Sequence, residues 1–115
     1  MKIRFLLALA ALLPFAVNAK IVTRTVPYTY AGRTMLGYLA YDDATAQQRP
    51  GVLVLPEWWG LTDYPKRRAR ELAQMGYVAF AADLYGDGRT TRDPKQAQAC
   101  ACSRSASDCA LLSRA

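Results

Sequence analysis

The 115-residue chain contains no histidine. That absence removes the commonest general base, the proton carrier of Ser-His and Cys-His machinery, and the commonest imidazole metal ligand. Cysteine is scarce as well. Cys100, Cys102 and Cys109 are the only three, and all fall in the last sixteen residues. Their C-x-C-x6-C spacing, without histidine, is not a zinc pattern. Nor does any glycine-flanked nucleophile occur. Ser103, Ser105, Ser107 and Ser113 have no glycine neighbours, and the cysteines sit in A-C-A-C-S and D-C-A; no G-x-S-x-G or G-x-C-x-G turn is present. Long apolar runs are missing too. The longest, Phe5 to Val17, would span about 20 Å as a helix, against roughly 30 Å for a membrane core. A broad basic surface interleaved with aromatics is also lacking: Lys66, Arg67, Arg68 and Arg70 form one cluster on a predicted helix and read as a solvated face, so no nucleic-acid partner is expected.

What is present begins with an export signal. Lys2 and Arg4 precede the apolar stretch, and Val17-Asn18-Ala19 supplies the small residues that a signal peptidase reads. Residues 1–19 are therefore expected to be a signal peptide cleaved after Ala19, leaving no stable membrane anchor and an exported chain, periplasmic or secreted. The remaining 96 residues would carry a net charge of +4 rather than the formal +6, because Lys2 and Arg4 leave with the signal. That length supports one small domain. In an oxidising compartment cysteines usually pair, and an odd count leaves one over.

Val22 to Tyr30 alternates β-branched and aromatic residues with threonines, a strand pattern. Ala31-Gly32-Arg33 reads as a turn and Thr34 to Tyr41 as a second strand, giving an antiparallel hairpin whose Pro27 confines the first strand to an edge. Asp42 to Pro50 is a polar connection. Val52 to Leu55 is an unbroken apolar run, which predicts a strand buried on both faces. Thr62 or Asp63 can cap a helix with Pro65 in its first turn, an apolar stripe of Ala69, Leu72, Ala73 and Met75, and Gly76 as terminator. Tyr77 to Ala82 is the next buried strand, and Asp93-Pro94 opens another helix.

Residues 51 to 82 thus form a β-α-β unit with parallel strands. The two loops that follow its strands, 56–63 and 83–92, fall on one edge of the sheet, where open α/β sheets bind ligands. Beyond Gln98 the texture changes. Residues 99–115 (ACACSRSASDCALLSRA) hold no sustained apolar period, and the chain stops after one β-α-β unit, leaving a sheet edge unpaired. A break in coding frame or a truncation near residue 99 is expected, the alternative being a genuine helix with a polar tail.

Two motifs, P-E-W-W-G-L-x-D-Y and A-D-L-Y-G-D-G, stand at a fixed distance across the helix. Through them Arg49 to Gln98 resembles the N-terminal third to half of dienelactone hydrolases, also called carboxymethylenebutenolidases. The resemblance covers about residues 22–98 and implies an α/β-hydrolase sheet, here incomplete: an antiparallel hairpin plus one β-α-β unit in residues 20–98. It implies hydrolysis of esters or lactones by a Cys-His-Asp triad, with no cofactor and a small-molecule ester or lactone as partner. By the same resemblance Glu57 matches a glutamate that contacts the resting thiol. Trp58 matches the residue whose backbone N–H contributes to the oxyanion hole. Tyr85 and Arg89 lie in the loop that meets the substrate carboxylate. Pro56 departs from the His or Gln often found there. The resemblance ends before the positions of nucleophile, acid and base, and neither Cys100 nor Asp108 stands in an elbow.

Plainer readings stay open beside these. Glu57 could be a solvated loop acid, Trp58 and Trp59 covers of the sheet edge, and Asp83 a turn cap. A metal held by Glu57, Asp83 and Asp87 is not expected, since carboxylates alone without ligand spacing make a poor site. Two functions follow: an exported ester or lactone hydrolase represented by a form lacking its nucleophile and histidine, and inactive by itself; or a non-catalytic exported α/β fragment that acts by binding, including self-association through the exposed sheet edge.

Overall fold

A computed structural model describes residues 20–44 and 46–102. The expected signal peptide, Cys109 and most of the 99–115 tail lie outside the described residues. The elements are β1 (Ile21–Tyr30), β2 (Arg33–Asp42), β3 (Gly51–Val54), α1 (Asp63–Gln74), β4 (Val78–Ala81) and α2 (Pro94–Cys102). The strands form one mixed sheet in the order β1-β2-β4-β3, a partial α/β fold.

The hairpin closes through Ala31 (φ 50°) and Gly32 (φ 74°). Positive φ at both central residues is what a type I′ turn needs to match the twist of its strands. Pro27 cannot donate to a ladder, and β1 is indeed an edge, antiparallel to β2 with Pro27 opposite Leu36. β2 continues antiparallel to β4, with Leu39 opposite Phe80. β3 runs parallel to β4, with Leu53 opposite the same Phe80. The parallel β-α-β unit read from the sequence is therefore present.

α1 lies across one face of this sheet. Its Ala69 and Ala73 pack with Ala40, Ala79, Ala81 and Leu61 as the buried core, flanked by Tyr38, Val54 and Leu72. Small side chains let the helix sit close to the strands. Pro65 in the first turn is also fully buried. The N-cap is Thr62, in extended conformation but without a side-chain capping bond. Gly76 (φ 92°) ends the helix by donating to Ala73, while Tyr77 N–H turns back to Leu72. Met75 departs from its expected place: it is 64% exposed, because the helix ends one residue earlier and the side chain falls off the stripe. The basic cluster is a surface face. Arg67 and Arg68 pair with Glu71, and Arg67 lies over the Tyr64 ring.

The expectation that β3 is buried on both faces does not hold. Val52 and Val54 turn towards α1, but Leu53 and Leu55 are 61% and 62% exposed. An apolar run signals two covered faces only when something covers both, and no described helix covers the face opposite α1. α2 runs through to Cys102, so residue 99 is not an element boundary. No helix among the described residues is long and apolar enough to cross a membrane.

Candidate active site

The loops after β3 and β4 meet at the carboxyl end of the parallel pair, as a β-α-β crossover requires. They are joined along their length. Gly60 bridges Thr90, and Thr91 N–H donates to Trp59 O at 3.1 Å. Tyr85 Oη donates to the Trp58 carbonyl and, at 3.3 Å, to that of Ala97 on α2. One phenol therefore ties both loops to the helix that follows. Burial holds the Tyr85 hydroxyl above its usual pKa. Gly60 (φ 82°) makes the close approach feasible: a Cβ there would stand 2.6 Å from Arg89 O and 3.0 Å from the Tyr85 ring.

Asp83 organises the second loop from inside. It is fully buried. Its Oδ1 accepts the N–H groups of Tyr85 (3.0 Å) and Gly86 (2.9 Å), and its Oδ2 those of Gly88 and Leu36 (both 2.9 Å). A carboxyl gathering successive backbone donors is an Asx-type turn former, and this is the turn-capping role read for Asp83. The hairpin braces the same loop. Tyr28 Oη donates to Asp83 O, Arg33 Nη1 to Tyr85 O at 3.2 Å, and Asp87 N–H to Thr34 O at 3.0 Å. Burial, then the charge of Asp83, push the Tyr28 hydroxyl's pKa up against the lowering effect of its own hydrogen bond. Tyr28 and Arg33 were not legible as loop supports, since they reach it from more than fifty residues away.

Between the loops opens a cleft of about 390 Å³ lined by Pro56, Glu57, Trp58, Leu84, Tyr85, Cys100 and Ala101. Its size falls within the range of small-molecule sites. Glu57 is exposed at its mouth, and Trp58, 46% exposed, stacks at a tilt on Trp59 with ring centres 5.5 Å apart. Of the four residues singled out from the sequence, Glu57, Trp58 and Tyr85 share this cleft. Arg89 instead lies beside Asp87, Nη2 to Oδ2 3.7 Å. Cys100, a lining residue, is disulfide-bonded. Among the described residues no three His, Cys, Asp or Glu side chains gather closely enough to hold a metal ion.

The sequence model described as the dienelactone hydrolase family matches residues 35–111. The chain belongs to the dienelactone hydrolase family. The match begins in β2 and runs past the change of texture at residue 99. Solved structures of this kind agree. A protein named m3DLH is 42% identical with a TM-score of 0.65, and a dienelactone hydrolase-like promiscuous phosphotriesterase from metagenomic libraries is 38% identical with a TM-score of 0.64. Each alignment covers 68% of this chain and 32% of the other. Protein usf of Aquifex pyrophilus is 44% identical over 52 residues, 42% of this chain and 22% of that protein. The chain thus spans about a third of the length of the solved dienelactone hydrolase relatives and less than a quarter of usf. The fold is that of a hydrolase family.

Proposed function

We propose that this chain carries the glutamate and oxyanion-hole half of an ester- or lactone-hydrolase site, in an exported member of the dienelactone hydrolase family. The observation that carries the reading is the convergence of Glu57, Trp58 and Tyr85 on one small-molecule-sized cleft at the carboxyl end of the parallel strands. In this reading Glu57 contacts and restrains a nucleophilic thiol. The Trp58 backbone N–H stabilises the tetrahedral oxyanion, a contribution of roughly 3 kcal/mol for one donor. Tyr85 walls the substrate, and Arg89 stands at the outer rim. The nucleophile and its base would come from polypeptide that this chain does not contain, since it holds no histidine and no nucleophile elbow. The charged, apolar and small-residue succession over residues 1–19 supports export.

The test is paired. Purified chain is expected to bind phenyl acetate, seen as a change in the fluorescence of the Trp58–Trp59 pair, yet to release no product above buffer from p-nitrophenyl acetate. Hydrolysis that disappears in Glu57→Ala would overturn the half-site reading; absence of ester binding would overturn the cleft as a substrate site.

A second reading rests on a different observation. Leu53 on β3 and Leu55 just beyond it are open to solvent, and β3 pairs only with β4 among the described strands. An uncharged edge free of proline and lysine is a template for strand addition. On this reading the chain acts by association, through β3, with no chemistry of its own.

A further inference from the structure

One wall of the cleft is the last turn of α2. Cys100 and Ala101 line the same cavity as Pro56, Glu57 and Trp58 from the loop after β3. α2 is nine residues long, and a helix of that length is marginal without outside support. Its beginning has such support. Asp93 Oδ1 accepts the N–H of Lys95 at 2.9 Å, and Thr91 Oγ1 donates to Gln96 Oε1 at 2.9 Å. Ala97 is fully buried, and its carbonyl accepts the Tyr85 hydroxyl at 3.3 Å.

The last turn carries a covalent tie. Cys100 is half-buried and disulfide-bonded. The chain has two other cysteines, Cys102 and Cys109, so the bond joins this wall to one of them. A cross-link narrows the conformations open to a segment, and a wall already held in place binds a ligand at a lower ordering cost.

On the reading that esters bind in this cleft, we infer that the Cys100 disulfide is a redox switch on it. Oxidised, the bond holds the wall and ester binds. Reduced, the wall loosens and affinity falls. A dithiol performs the reduction. One of its thiolates attacks a sulfur of the protein disulfide and forms a mixed disulfide; its second thiolate then displaces the protein sulfur. Two protein thiols result, and the dithiol leaves as a cyclic disulfide, having given up two electrons and two protons. The bond persists in an oxidising compartment and opens in a reducing one, so affinity follows the compartment.

Calorimetry with phenyl acetate tests this on the whole purified chain, oxidised and after dithiothreitol, with free thiols counted in each state. The oxidised form is expected to bind about fivefold more tightly, the cost of ordering one or two further side chains. Cys100→Ser should bind as weakly as the reduced parent and no longer respond to dithiothreitol. Equal affinities, tighter binding after reduction, or a persisting response in Cys100→Ser overturn the inference while leaving the ester site standing. Loss of the strand signal in far-UV circular dichroism on reduction also overturns it, because the bond would then staple the whole fold. Binding in neither state overturns the ester site and the inference with it.

Discussion

Asp83 Oδ2 accepts the backbone N–H of Leu36 at 2.9 Å, a bond that spans 47 residues of sequence and fastens the N-terminal hairpin to the rim of the cleft. The other three bonds to the Asp83 carboxylate are local. This one makes the loop after β4 part of the sheet's own framework.

Asp83→Ala is therefore expected to be among the costliest single substitutions in the described chain. It strands four backbone donors, three of which were paired inside the turn and one on β2. The loss should be at least about 3 kcal/mol, read as a lowered urea midpoint. A midpoint within error of the parent would mean that water replaces the carboxyl.

Tyr85→Phe removes one hydroxyl that two carbonyls share. The expected loss is about 1 kcal/mol, with a shifted Trp emission because the Trp58 loop loses its tether. Unchanged emission would show that the Gly60–Thr90 bridge and the Thr91–Trp59 bond suffice to hold the loop.

Gly60→Ala puts a methyl against Arg89 O at a backbone angle that alanine adopts with strain. We expect a loss of about 2 kcal/mol or more and weaker phenyl acetate binding, since the two loops must part. Calorimetry and a urea melt on the same sample give both values.

Tyr28 and Tyr85 both have pKa values raised in the fold. A group that holds its proton more tightly when folded stabilises fully below its unfolded pKa, near 10 for tyrosine. That contribution is lost as pH rises through the higher folded values. Stability should hold to about pH 10 and then fall, and the fall should be shallower in the Tyr28→Phe, Tyr85→Phe double variant, measured by urea midpoints across the alkaline range.

Leu53→Lys places a charge on the open face of β3. Surface substitutions of this kind change stability by about 0.5 kcal/mol or less, but a lysine on an edge opposes strand addition. Sedimentation should show less association than the parent. Equal association would move the contact away from β3.

Local chemistry made much of this molecule readable in advance. Ala31-Gly32 announced a turn, Pro27 an edge, and Gly76 a helix end, because each acts through its own backbone angles. The 56–63 loop was legible as a rim because a strand, a loop and a helix start follow one another without interruption, while roles for Glu57 and Trp58 came only with the family resemblance. Tyr28 and Arg33 escaped, since a side chain that supports a loop fifty residues away leaves no periodic trace. Leu53 and Leu55 misled for the converse reason: hydrophobicity records what a residue prefers to touch, and the covering layer is a property of the whole sheet.

The strand order also dictates a timetable. β1 and β2 are sequence neighbours and can pair as soon as both exist, on the fast timescale of hairpins. β3 comes next in the chain but has no place beside β2, because β4 sits between them. Until Val78–Ala81 has been synthesised and α1 has folded back, Gly51–Val54 is an apolar segment without a neighbour. During that interval the segment is the part of the sheet open to wrong strand pairing.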